Sequence, residues 1–116
     1  MLHIVACIKQ VPDTKIAKIN PKTNTIDRAS APAILNPYDT HAVEEAVRLR
    51  ARYGGVVSVL TMGPPPAVKA IRKCIEIGAD EGYMITDRAF AGADTLATSY
   101  ALTKALEKIA QERPID

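Results

Sequence analysis

Three short apolar runs alternate with three longer stretches of helical period. Leu2-His3-Ile4-Val5-Ala6-Cys7-Ile8 has no polar alternation, which predicts a strand buried on both faces of a parallel sheet. Val56 to Met62 repeats the signal between Gly54-Gly55 and Gly63-Pro64-Pro65-Pro66, and Gly82 to Thr86 gives a weaker third strand.

Between the first two runs, Pro37 to Tyr53 carries Ala42, Val43, Ala46, Val47, Leu49 and Tyr53 on one stripe, with Glu44, Glu45, Arg48 and Arg52 outside it. Asn36 before Pro37 is a helix start and Gly54 a stop. Ala67 to Ile77 predicts a second helix burying Val68, Ile71, Cys74 or Ile75, and Ile77. A third, from about Asp94 to Glu112, buries Leu96, Tyr100, Leu102, Leu106 and Ile109. Strand and helix in alternation imply right-handed crossovers and an α/β fold, a parallel sheet with helices on both faces.

One segment breaks the rhythm. Asp13 to Leu35 is too long for an ordinary strand-to-helix loop and needs structure of its own. Lys18-Ile19-Asn20 and Thr25-Ile26-Asp27, joined by Pro21-Lys22-Thr23-Asn24, predict a small β-hairpin insert over about 17–28. Arg113-Pro114-Ile115-Asp116 reads as the turn before a fourth strand. The expectation is therefore a single unit over 1–116, the N-terminal part of a larger α/β domain whose following strands are absent.

Composition narrows the class without changing the fold. The 116 residues are 47% hydrophobic, 4% aromatic and 24% charged, a globular composition able to bury about two thirds of its unfolded surface. A net charge of +2 offers neither a basic stripe for nucleic acid nor a polybasic membrane patch. The first apolar run is too short to insert in a membrane, and a cytoplasmic location is expected. Cys7 and Cys74 read as reduced core residues.

The chemistry lies where strands end. In open parallel sheets ligands sit at the carboxyl ends of strands, near the point where strand order reverses. If the order is third-second-first, that point lies beside Cys7 to Lys9. At Tyr83 to Tyr100 a strand enters a small-residue loop and then a helix, and a bare helix start gathers free N–H groups that can hold a phosphate. Thr95 and Thr98 would assist with their hydroxyls and Gly92 would allow close approach, whereas an Asp94 carboxylate would repel the anion while capping the helix. Capping alone and phosphate capture both remain open. Asn36 reads first as a cap, Met62-Gly63-Pro64 first as a strand-ending turn, and Lys9 first as a solvated cation. Their sharper readings are a sugar or phosphate ligand, a backbone edge that reads adenine, and a phosphate partner.

Catalytic and metal patterns are missing. His3 is at the amino end of its strand and His41 has no Cys or Ser partner, so no triad can be argued. No HExxH, CxxC, GxGxxG or GxxxxGK[ST] occurs. Binding without catalysis is the expectation.

Four blocks in order, CIKQVPDT at Cys7, NPYDTHAVEEAVRLR at Asn36, TMGPP at Thr61 and GADEGYMITDRAFAGADTLATSYAL at Gly78, together with INPKTNTIDR in the insert, resemble the electron transfer flavoprotein β subunit over nearly the whole chain. The resemblance implies a Rossmann-like fold of the adenine nucleotide α-hydrolase type, a heterodimer with a flavin-carrying α subunit, and a second nucleotide in the β subunit. That nucleotide is AMP in ordinary members and FAD in the bifurcating and nitrogen-fixation-associated branch, where NADH rather than a dehydrogenase donates. Asp87 to Ser99 is similar to the FAD branch. By motif, Cys7, Asn36, Tyr38 and Asp39 would lie along the nucleotide, Met62 beside the adenine, and Asp94, Thr95 and Thr98 near flavin or pyrophosphate. Family members continue past the position of Asp116 into a strand and a phosphate-wrapping loop. A competing expectation is an ATP-binding regulatory module of the universal stress protein type, against which CIKQVPDT and DRAFAGADT speak. An ATP pyrophosphatase would need an SGGxDS-like loop after the first strand, which is missing.

Overall fold

A computed structural model describes residues 1–13, 18–20, 25–27, 33–86 and 95–116. Its elements follow in chain order: β1 (Leu2–Ile8), β2 (Gln10–Pro12), β3 (Lys18–Asn20), β4 (Thr25–Asp27), β5 (Ala33–Leu35), α1 (Pro37–Tyr53), β6 (Gly55–Met62), α2 (Val68–Ile77), β7 (Glu81–Ile85) and α3 (Thr95–Glu112). The fold is α/β, a three-stranded parallel sheet in the order β1-β6-β7, the third-second-first arrangement expected.

Local chemistry explains the boundaries. The Asn36 side chain accepts the Tyr38 N–H at 3.0 Å while Pro37 occupies the first turn, so α1 starts where a cap and a preset φ coincide. It stops where the Gly54 N–H closes on the Arg50 carbonyl at 2.7 Å. Gly55 then begins β6 at φ +130°, and a Cβ there would collide with the Leu2 carbonyl, so the close start of the β1–β6 ladder requires glycine. A 3₁₀ turn at Pro65–Ala67 precedes α2, which therefore begins one residue later than its period predicts.

Side chains alternate across the sheet and divide the layers. Ile4, Ala6, Ile8, Val57 and Val59 pack with Val43, Ala46, Ala70, Ile71 and Cys74 in one core beneath α1 and α2. Ser58 and Leu60 point the other way, and Leu60 shares a groove with Ile109 of α3. Helices thus cover both faces. Cys74, not Ile75, is the buried member of its pair, and Ile75 is exposed.

Three expectations about burial need correction. Cys7 is exposed, because β1 has a neighbour only on its β6 side among the described strands and Cys7 stands on the thinly covered face. Ala42 and Tyr53 fall outside the α1 contact stripe, which narrows to Val43, Ala46 and part of Val47. On α3 only Ile109 is buried, while Leu96 is 80% and Tyr100 65% exposed. This helix meets the sheet through its C-terminal half and leaves an apolar groove of about 800 Å³ beside Tyr83, Ile85 and Tyr100.

The long excursion before α1 contains the expected antiparallel hairpin, Lys18 opposite Asp27 and Asn20 opposite Thr25. Its turn at 21–24 lies outside the described residues. A second ribbon was not foreseen: Gln10–Pro12 pairs antiparallel with Ala33–Leu35 and closes the base of the excursion.

Candidate functional site at the carboxyl ends of the strands

Three junctions meet at the carboxyl edge of the sheet. Just past β1, the Lys9 N–H donates to Asp39 Oδ2 at 2.8 Å and the Lys9 carbonyl accepts the Asn36 N–H at 2.8 Å. These bonds bring Lys9, Asn36, Tyr38 and Asp39 together at the first turn of α1. Past β6, the Gly63 N–H donates to the Ile85 carbonyl at 3.0 Å, joining the ends of β6 and β7. The third junction is the start of α3. The chain just past α3 reaches the amino edge of the sheet, where the Arg113 carbonyl meets His3, so an 18-residue helix about 27 Å long returns Thr95 to the carboxyl edge.

The edge is chemically mixed. Tyr38 is 84% exposed and offers a free ring face, whereas Asn36 and Asp39 are half-buried and already hydrogen-bonded to backbone. The Asn36 side-chain oxygen acts as a cap, as its plainer reading held, which leaves its amide hydrogens for a ligand. Partial burial, and then the Asp39 carboxylate, push the Cys7 thiol above its ordinary range. The same two causes push buried Cys74 up to about 11. Met62 and Gly63 are half-buried at the strand end, Lys9 is exposed, and Thr95 and Thr98 lie in the first turn of α3. Asp94 and Gly92 lie outside the described residues.

A feature missed in the sequence sits beneath this edge. Thr61, next to last in β6, is fully buried and its hydroxyl has no hydrogen-bond partner among the described residues. Buried hydroxyls are almost always paired, which sets this one apart from the other buried side chains of β6. In the sequence it is indistinguishable from an ordinary strand-forming threonine.

His3 is at the amino end of β1 as expected, on the opposite side of the sheet from these junctions. Among the described residues no group of three or more His, Cys, Asp or Glu side chains could hold a metal ion, and no helix is long and apolar enough to cross a membrane.

A parallel sheet in the order β1-β6-β7 with helices on both faces defines a Rossmann-like α/β domain. The electron transfer flavoprotein domain model matches residues 23–113, and the chain belongs to that family. It is 55% identical over 115 residues to Protein FixA of Azotobacter vinelandii, a match spanning 99% of this chain and 41% of that protein. Protein FixA of Bradyrhizobium diazoefficiens is 53% identical over 111 residues, 96% of this chain and 38% of the relative. The electron transfer flavoprotein subunit beta of Thermoanaerobacterium thermosaccharolyticum is 53% identical over 107 residues, 92% of this chain and 41% of the relative. The chain thus spans about two fifths of the length of these curated relatives.

Proposed function

We propose that this chain is the nucleotide-cradling part of an electron transfer flavoprotein β subunit, with FAD as its nucleotide and AMP as the alternative. The carrying observation is the convergence of Lys9, Asn36, Tyr38 and Asp39 with Gly63 at one edge of the sheet, with α3 starting on the same edge.

The donor set fits a dinucleotide. An exposed tyrosine ring can lie against a flat base, a carboxylate such as Asp39 accepts sugar hydroxyls, and the Thr95 and Thr98 hydroxyls suit a pyrophosphate. The Thr61 hydroxyl, without a partner among the described residues, is an observation of the same kind. FAD held here would supply two-electron acceptance and single-electron release. The chain's own residues bind, orient and exclude water, and none of them acts as a catalytic residue. In this reading the partner is the flavin-carrying α subunit, the donor is NADH in the FAD form or a dehydrogenase in the AMP form, and the location is the cytoplasm.

Nucleotide content tests the reading. Protein isolated gently with its α partner should release two nucleotides per heterodimer, the second one yellow if it is FAD and colourless if it is AMP. Recovery of a single nucleotide overturns the β-site assignment.

A further inference from the structure

A buried polar chain crosses the sheet at its amino edge, far from the candidate nucleotide site. His3, 2% exposed, places Nε2 2.8 Å from Ser58 Oγ, and Ser58 Oγ lies 2.9 Å from Glu81 Oε1. The other ring nitrogen, Nδ1, faces the Arg113 carbonyl at 3.2 Å, just past the end of α3. The His3 backbone is also held, its N–H donating to Asp116 Oδ2 at 2.8 Å and its carbonyl accepting the Asp116 N–H at 2.9 Å. Glu81 Oε1 accepts Arg113 Nη1 at 2.9 Å and lies 3.4 Å from the Tyr83 hydroxyl.

Counting hydrogens along this chain gives one complete arrangement. A carbonyl oxygen only accepts, so the contact with Arg113 needs a hydrogen on Nδ1. An ionised carboxylate also only accepts, so Ser58 must spend its single hydrogen on Glu81. The 2.8 Å contact from His3 to Ser58 then needs a hydrogen on Nε2 as well. Either neutral tautomer leaves one contact with two lone pairs facing each other. Two positive groups, the imidazolium and Arg113, face two carboxylates, Glu81 and Asp116. The remaining charged or titratable neighbours are Tyr83, whose phenol is pushed up by burial and by Glu81, Glu112 at the end of α3, and the Asp80–Arg50 pair beside Val57.

We propose that His3 is a proton-operated latch. With both ring nitrogens protonated it ties the chain leaving α3 to the amino edge of the sheet through Ser58 and Glu81, and loss of one ring proton releases that end. The device is independent of any nucleotide, since its groups lie at the edge opposite the candidate site. Its sign follows from the hydrogen count: the closed form holds one more proton than the open form, so closure is favoured at low pH and lost as pH rises.

The test is nitrogen-detected NMR of the His3 ring in the full chain, with amide hydrogen exchange followed between about pH 5.5 and 8. The latch predicts hydrogens on both ring nitrogens at the acid end, and protection of the Asp116 amide that falls about tenfold per pH unit once the ring proton is lost, beyond the intrinsic exchange trend and with the β6 core amides unchanged. Glu81→Gln separates the latch from simple packing, because an amide can donate to Ser58 and so frees its hydroxyl for neutral His3. This variant should keep the Asp116 amide protected across the whole range. A lone pair on either ring nitrogen at the acid end, or the same pH dependence in Glu81→Gln as in the parent, overturns the proposal.

Discussion

The Lys9 N–H donates to the Asp39 carboxylate at 2.8 Å, so the residue that leaves β1 is fastened to the first turn of α1. The bond closes the first of the three junctions proposed to frame the nucleotide, and it uses a charged acceptor near the positive end of a helix dipole. Asp39→Ala should lower stability by about 1 kcal/mol, while Asp39→Asn, which keeps an acceptor oxygen, should lose less. Urea titration of both variants checks this. An alanine variant as stable as the parent would show that the bond does not hold the junction.

Acid should weaken the fold through Asp80. Its carboxylate accepts the Val57 N–H at 2.8 Å and Arg50 Nη1 at 2.7 Å, and these bonds, the Val57 one foremost, lower its pKa from the ordinary 3.8 against a smaller opposing effect of burial. A carboxylate that is more acidic folded than unfolded contributes stability fully present above its ordinary value and lost as pH falls through the folded value. Asp80→Asn should cost about 1 kcal/mol near neutrality, a modest figure because the group is partly exposed, and should flatten the acid limb of the stability curve below about pH 4. An unchanged acid limb in Asp80→Asn would assign acid sensitivity elsewhere.

Gly82 should not accept a methyl group. A Cβ there would collide with Ile71 Cγ2 on α2 and stand 3.4 Å from Val59 Cγ2, so Gly82→Ala forces β7 and α2 apart. The expected loss is about 1–3 kcal/mol, and it should shrink in an Ile71→Ala background, where the Cγ2 methyl that the new Cβ would meet is gone. Thermal unfolding of the single and double variants decides it, and additive losses would mean that the crowding is not at this contact.

The two thiols should differ in access although both are raised. Cys7 is exposed but held protonated by partial burial and Asp39, so it should alkylate slowly at neutral pH and faster as pH rises. Cys74 is fully buried with its thiol at about 11 and should react only on unfolding. Mass spectrometry after a timed pulse of iodoacetamide reads both. Should bound nucleotide slow Cys7 alkylation further, the ligand lies over the end of β1. Equal labelling of the two thiols in the native state would contradict the burial described.

Residues that act on their immediate neighbours were legible in the sequence. Asn36, Pro37 and Gly54 set α1 at Pro37–Tyr53, and Gly54-Gly55 and Gly63 bracket β6 within a residue, because caps and stops are local chemistry. What depends on distant packing was not. Leu96 and Tyr100 match the helical period yet are exposed, since α3 meets the sheet only toward its C-terminal end. The β2–β5 ribbon joins two three-residue segments, too short for period and far apart in sequence. At the candidate site, Lys9, Asn36 and Asp39 were visible as motif positions, but their mutual bonds and the orphaned Thr61 hydroxyl appear only once β1, α1 and β6 are assembled.

Lys9 has one more consequence. Its amide and carbonyl both face the start of α1, so the stretch from Gln10 to Leu35 leaves and returns through a single pinned gateway, with β2 and β5 zipped just inside it. A detour fastened at its neck transmits little strain to the body behind it. Its interior can therefore be lengthened, trimmed or exchanged, and this is the part of the molecule where new recognition surfaces can be grafted without refolding the rest.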